Sequence, residues 1–311
     1  PGRAMPYFQR VLPVARELGD QELLTLSSLV IGMVELAHGQ IAKARATWTP
    51  LLAVDEQLFG ATLDTGRCLS YPILALAASG RFATATAALQ RAHKWARQTQ
   101  QPALLGGVLV IEGFSYLLAA DWSEAIRASQ ETLAWAKLSG QVLQTYSGLD
   151  TLAWAQSQSG LHAQALKTRA EAAELRRTIG RTLIDDWFEA AEAEILLNAG
   201  RTEEALEKAQ QVAAMAQQGG LLFAAAVAER VWGSALARQG ASLDEVAAHF
   251  GASLLTCEQT EQVSNSIQCH LYWGRVLRER AAEAQAQQHF AQALELLAAG
   301  GYERGLAWAR S

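Results

Sequence analysis

GQVLQTYSGLDTLAWAQSQSGLHAQALKTRAEAAELRRTIG, residues 140–180, decides how this 311-residue chain folds. Glycine stands at 140, 160 and 180, and neither interval between them contains proline, so each has room for one helix and its turn. Glycine reaches positive φ without steric cost, and helices commonly end on such a residue. Reading outward, one series runs Gly19, Gly60, Gly140, Gly180, Gly220 and Gly300, with Gln100 and Thr260 in its gaps. A second lies midway: Gly39, Gly80, Gly160, Gly200 and Gly240, completed by Ala120 and Arg280. Eleven of fifteen turn positions are glycine, where 24 glycines scattered over 311 residues would place about one. The period is forty residues, two helices per repeat.

Start signals follow the turns. Asp121 with Glu124, and Ser242 with Glu245, have capping-box spacing, and Thr202 precedes the acids Glu203 and Glu204. Small residues recur at fixed offsets: Ala4, Ala44, Ala85, Ala125, Ala165, Ala205 and Ala286 in the second helices. Gly32, Gly113, Ala153, Ala193, Gly233 and Gly274 hold the matching place in the first helices, with Ile73 the bulky exception. Two backbones can approach there, with Phe8, Trp48, Leu89 and Phe290 filling the remaining volume. In the sixth repeat Ala241 to Glu245 lengthens the turn, and the small position falls on Ala247 or Ala248.

These signals predict an all-α solenoid of seven repeats at 22–60, 62–100, 103–140, 142–180, 182–219, 221–259 and 262–300. Residues 4–18 match a second helix without a first, and 302–311 begin a further first helix. With Pro1 at the start, the expectation is a piece of a longer protein. One hairpin cannot bury both faces of its helices, so each repeat must lean on the next.

Composition narrows the function classes. Half the residues are hydrophobic and only six are proline, which excludes disorder and disfavours strand. A net charge of −5 without a basic block removes the footprint of a nucleic-acid binder. The longest apolar run, Ala103 to Ile111, falls well short of the roughly 20 residues a membrane span needs. Cys68, Cys257 and Cys269 fit neither a disulfide framework nor metal-ligand spacing. The expectation is a soluble cytoplasmic protein with three buried thiols.

Gly32, Gly39, Ala44 and Trp48 show most fully a pattern that resembles the tetratricopeptide repeat. The longer period resembles the sensor arms of bacterial signal-transducing ATPases, including the maltotriose-responsive activators. The segment from Phe290 to Arg310 is similar to the last repeats of such arms. This resemblance implies a right-handed superhelix that senses a ligand or protein partner, with its nucleotide-switching module elsewhere in the intact polypeptide. It also implies that the first helices line a concave groove, through Arg67, Ser70, Asp150, Trp154, Trp187, Glu194, Arg230, Ser234, Gln268 and Arg275. Arginine can clamp a carboxylate or phosphate, and an exposed tryptophan can stack on a sugar or side chain, so a protein, a peptide or a small polar ligand would fit there. Trp154 and Trp187 read more readily as core than as groove. A stand-alone interaction scaffold is the alternative role.

Catalytic signatures are missing. His38, His93, His162, His249, His270 and His289 make no metal-binding spacing, and no phosphate loop, nucleophile elbow or dinucleotide fingerprint occurs. The sequence therefore predicts no catalysis, metal or cofactor in this chain. Asp185, Asp186, Glu189, Glu192 and Glu194 cluster in the fifth repeat, and helical spacing spreads them around the axis as a solvated or ion-paired surface, with acid–base work the alternative.

Overall fold

The computed structural model describes residues 5–55, 60–180, 182 and 184–301. A leading helix, α1 (Met5–Leu18), is followed by seven hairpins. Their first helices are α2 (Gln21–Ala37), α4 (Leu63–Ala78), α6 (Pro102–Leu118), α8 (Val142–Gln158), α10 (Asp185–Asn198), α12 (Leu222–Arg238) and α14 (Val263–Glu279). The second helices are α3 (Ile41–Trp48), α5 (Phe82–Thr99), α7 (Trp122–Ser139), α9 (His162–Ile179), α11 (Thr202–Gly219), α13 (Leu243–Thr260) and α15 (Glu283–Ala299). The antiparallel pairs wind into a right-handed, tetratricopeptide-like superhelix. Ala4 and the further helix expected at 302–311 lie outside the described residues.

The turns explain the period. Among the described residues, eleven glycines and four others, Gln100, Ala120, Glu261 and Ala281, have positive φ, so the chain keeps the left-handed turn even where glycine is missing. The last three such residues are Glu261, Ala281 and Gly301, one place later than Thr260, Arg280 and Gly300, because the turn before α13 holds an extra residue. That shift also resolves the small position of the sixth repeat. It is neither Ala247 nor Ala248 but Val246, which is fully buried like Ala165, Ala205 and Ala286.

Asp121 and Ser242 cap their helices through Glu124 N–H and Glu245 N–H. Thr202 does not cap; it is the first residue of α11, and Arg201 stands at the cap position without a side-chain bond. The second helix of the first repeat is short, since Pro50 has no N–H to continue it and the chain tightens into a 3-10 turn, Thr49–Ala53. Within hairpins the small positions receive large knobs. A Cβ on Gly32 would lie 2.1 Å from the Trp48 indole, and one on Gly274 would lie 2.6 Å from Phe290.

The coil is tight enough to meet itself. His38 O, at the end of α2, accepts from Leu222 N at the start of α12 (3.0 Å), and Gly300 O accepts from Ala83 N at the start of α5 (3.1 Å). Each contact sets a helix C-terminus against a helix N-terminus and satisfies groups that neither helix can satisfy alone. Gln262 donates to Gly39 O, Arg45 pairs with Glu261, and Trp187 Nε1 donates to Ala37 O at 3.4 Å. The first repeat thus abuts the fifth, the sixth and the start of the seventh, and the second abuts the seventh.

Candidate functional site

Tight coiling turns the inner face of the solenoid into a core. Trp187 stacks on Phe223 with centroids 3.5 Å apart, and Phe114 packs against Trp154, Trp187 and Phe188, so α6, α8, α10 and α12 converge on the axis. Beside this aromatic cluster, Arg230 Nη2 donates to Glu194 Oε1 at 2.9 Å, and Trp154 Nε1 donates to Glu194 Oε2 at 2.6 Å. Both charged side chains are wholly buried. The Tyr272 ring lies 5.4 Å from the Arg230 guanidinium carbon, and its hydroxyl reaches Asn198 and Gln158.

This arrangement corrects the expectation of an open concave groove over the fourth to seventh repeats. Asp150, Trp154, Trp187, Glu194, Arg230, Ser234 and Gln268 are all buried. The first helices pack across the axis, so residues that line a groove in a looser coil here face one another. Both tryptophans are core. Arg275 is half-buried beside Tyr272. The acids of the fifth repeat form an ion-paired network, more buried than a solvated face. Arg176 pairs with Asp185 and Glu189, Lys208 with Glu189 and Glu192, and Arg169 with Glu192 and Asp150. Tyr146 donates to Asp185. Burial pushes the Asp150 carboxyl up to about 6 against the pull of Arg169.

Arg67 and Ser70 line a cleft instead, although Ser70 is itself buried and donates to Gly66 O. Where the first helices begin, a cleft of about 340 Å³ remains open along the axis. Its walls are Met33 and Leu36 of α2, Leu63, Tyr71 and Leu74 of α4, Leu104, Val108 and Ile111 of α6, and Leu143 of α8. Two sequence features create it. Gly66, Ala103 and Gly107 present little or no side chain, and α10 starts at Asp185, leaving Thr182 and Ile184 where the other first helices already have a turn. Arg67, paired with Asp64 at 2.9 Å, keeps nearly half its side chain exposed. Gln144 Nε2 donates to Ala103 O at 2.8 Å, while its Oε1 accepts no hydrogen bond within the protein. Among the described residues, the cleft offers apolar walls, the Arg67 cation and a few hydrogen-bonding groups.

The mouth is itself apolar. Leu63 is 45% exposed and Leu143 60%, with Val142 beside it at 46%. A second, open groove of about 700 Å³ runs on the outer face between α5 and α7. Its buried acid is already matched: Glu112 accepts from His93 at 2.8 Å and from Arg127 at 2.7 Å. Burial would raise the Glu112 carboxyl, but these partners outweigh it and hold it below the usual range. Among the described residues, no group of three or more His, Cys, Asp or Glu is disposed to hold a metal ion, and no helix is long and apolar enough to cross a membrane.

The sequence pointed to Arg67 and Ser70 but missed the rest of the cleft. Its visible signals were the Gly106–Gly107 pair near the start of α6 and the apolar Leu63, Val142 and Leu143 in first turns, where polar residues are usual.

No family model matches the chain, and no curated protein matches it in sequence. Solved structures do match in shape. A chain of the APC/C hetero-tetramer Cut9–Hcn1 aligns over 94% of this chain with a TM-score of 0.62 and 17% identity, and this chain spans about half (49%) of its length. A Rap protein solved with Competence and Sporulation Factor aligns over 99% of this chain and 93% of its own, with a TM-score of 0.60 and 13% identity. Aspartyl phosphate phosphatase F from Bacillus subtilis aligns over 92% and 73%, with a TM-score of 0.59 and 12% identity. At such identities the likeness speaks for the fold alone, and that fold is a tetratricopeptide-like α-solenoid.

Proposed function

We propose that this chain is a non-catalytic interaction scaffold that seats an apolar segment of a partner polypeptide in the axial cleft. The observation that carries this reading is the continuity of the cleft with its exposed rim. A pocket of about 340 Å³ takes a few large side chains, and its edge is apolar too, with Leu63 and Leu143 still 45% and 60% exposed. A polypeptide covers both, with apolar side chains inside and neighbouring ones on the rim. Arg67 and Gln144 are placed to hydrogen-bond the backbone or an acidic side chain of that segment. The Rap protein solved with Competence and Sporulation Factor supports a binding role for this fold.

The forty-residue period supports the further reading that the chain is the sensor arm of a larger signalling ATPase or transcription regulator, in which the switching module lies elsewhere. A stand-alone interaction scaffold is the alternative reading, and it is equally consistent with the fold. A random peptide library panned against the protein tests the cleft reading. Enriched peptides should be rich in apolar residues and should lose binding to Gly107→Leu, whose side chain enters the cleft from a position with room for a Cβ. Peptides that bind Gly107→Leu as well as wild type would refute it.

A further inference from the structure

The cleft and the contact between successive coils share a helix. On one side α2 supplies Met33 and Leu36 to the cleft wall. At its end the same helix is held by the other coil, through Ala37 O to Trp187 Nε1 and His38 O to Leu222 N. Trp187 stands three residues after Ile184, which also lines the cleft. Consequently the helix that walls the cleft through Met33 and Leu36 is tied at its C-terminus to the other coil.

The joint is built around missing side chains, with Val263 seated on Gly80 beside its hydrogen bonds. A Cβ on Gly39 would lie 2.3 Å from Phe223 N, and one on Gly300 would lie 2.4 Å from Gly80 O. Its bonds are few: the two helix-end contacts, the Trp187 and Gln262 donors and the Arg45–Glu261 pair. Contacts of this kind open more readily than a packed core.

We infer that the coil-to-coil joint is a latch regulating the cleft: closed, it holds the α2 wall with Met33 and Leu36 in place; open, it releases that wall. This rests on the reading of the cleft as the binding site. Affinity then follows the closed fraction, and an occupant of the cleft must favour closure in return.

The test compares Gly39→Ala with Gly200→Ala in the full chain. Both glycines have positive φ, so both variants carry the same backbone strain, but nothing lies within 4 Å of a Cβ at Gly200. The probe is anilinonaphthalene sulfonate, an aromatic dye with one sulfonate, with circular dichroism to check that the helices persist. Spin labels on Arg45→Cys and Glu261→Cys read the joint, as the three native thiols are buried. Gly39→Ala should lengthen that distance and weaken the dye by about tenfold relative to Gly200→Ala. A bismaleimide bridge between the two introduced cysteines should restore affinity, and saturating dye should shorten the distance in uncross-linked protein.

If Gly39→Ala does not fold, Gly300→Ala serves, since its φ of −75° is ordinary and only the other coil objects to the methyl group. A lengthened distance with unchanged dye affinity overturns the latch while leaving the cleft reading intact. No dye binding by wild type, or binding indifferent to Gly107→Leu, overturns both.

Discussion

Arg230→Ala should destabilise the protein severely, because it strands a buried carboxylate. Glu194 is completely buried, and its Oε1 is held by Arg230 at 2.9 Å. Breaking a buried ion pair by removing one partner costs about 3–5 kcal/mol. The Tyr272 ring beside the guanidinium places the total toward the upper part of that range. Taking about 4 kcal/mol, and about 2.1 cal/mol/K of unfolding entropy per residue over 311 residues, the thermal midpoint falls by roughly 6 °C. The double variant Arg230→Met/Glu194→Leu removes both charges and keeps apolar volume, leaving the Trp154 indole N–H without an acceptor at about 1–3 kcal/mol. It should therefore be more stable than the single variant. Urea titration with far-ultraviolet circular dichroism measures all three proteins. A single variant within about 1 kcal/mol of wild type, or a double variant less stable than the single, would refute the argument.

Two acid–base predictions run in opposite directions. Asp150, raised by burial to about 6, holds its proton more tightly folded than unfolded, so it contributes stability at low pH that is lost as pH rises through about 6. Thermal midpoints from pH 4 to 7 should therefore shift in favour of Asp150→Asn by up to roughly 3 kcal/mol, and a flat or reversed difference would contradict the assignment. His270, lowered to about 4 by burial and then by His289, must stay neutral in the fold, so stability falls as pH drops from 6.5 toward 4. His270→Gln should flatten that loss in the same melts. Gly32→Ala forces a methyl group into the Trp48 indole and should destabilise by about 1–3 kcal/mol in urea titration. The thiols of Cys68, Cys257 and Cys269, pushed up by burial to about 11, 12 and 11, should resist a disulfide reagent at pH 8 until the chain is unfolded. Rapid labelling of any of them in native protein would show that its site opens.

The helices were legible because their ends are local events: a left-handed residue, a cap or a proline acts within one turn. Val246 was missed for the same reason in reverse, since an extra residue before α13 moves the register and only packing reveals where it moved. The inner face was illegible. Whether Trp154, Trp187 and Arg230 line a groove or fill a core depends on how sharply successive hairpins rotate. That angle is a sum of many small packing preferences that no single motif encodes. Arg67 and Ser70 stay at the cleft because they stand near the start of α4, where the late start of α10 leaves the axis uncovered.

The bond from Leu222 to His38 joins residues far apart in sequence. An open solenoid is close to a one-dimensional chain of units, which frays from its ends and loses stability in proportion when a unit is removed. Joining the first unit to the sixth and the second to the seventh makes this molecule nearer to a ring in its thermodynamics. The terminal hairpins have partners on two sides, fraying must break a long-range contact, and closure has to wait for distant segments to find each other. Stability here belongs to the circuit as a whole.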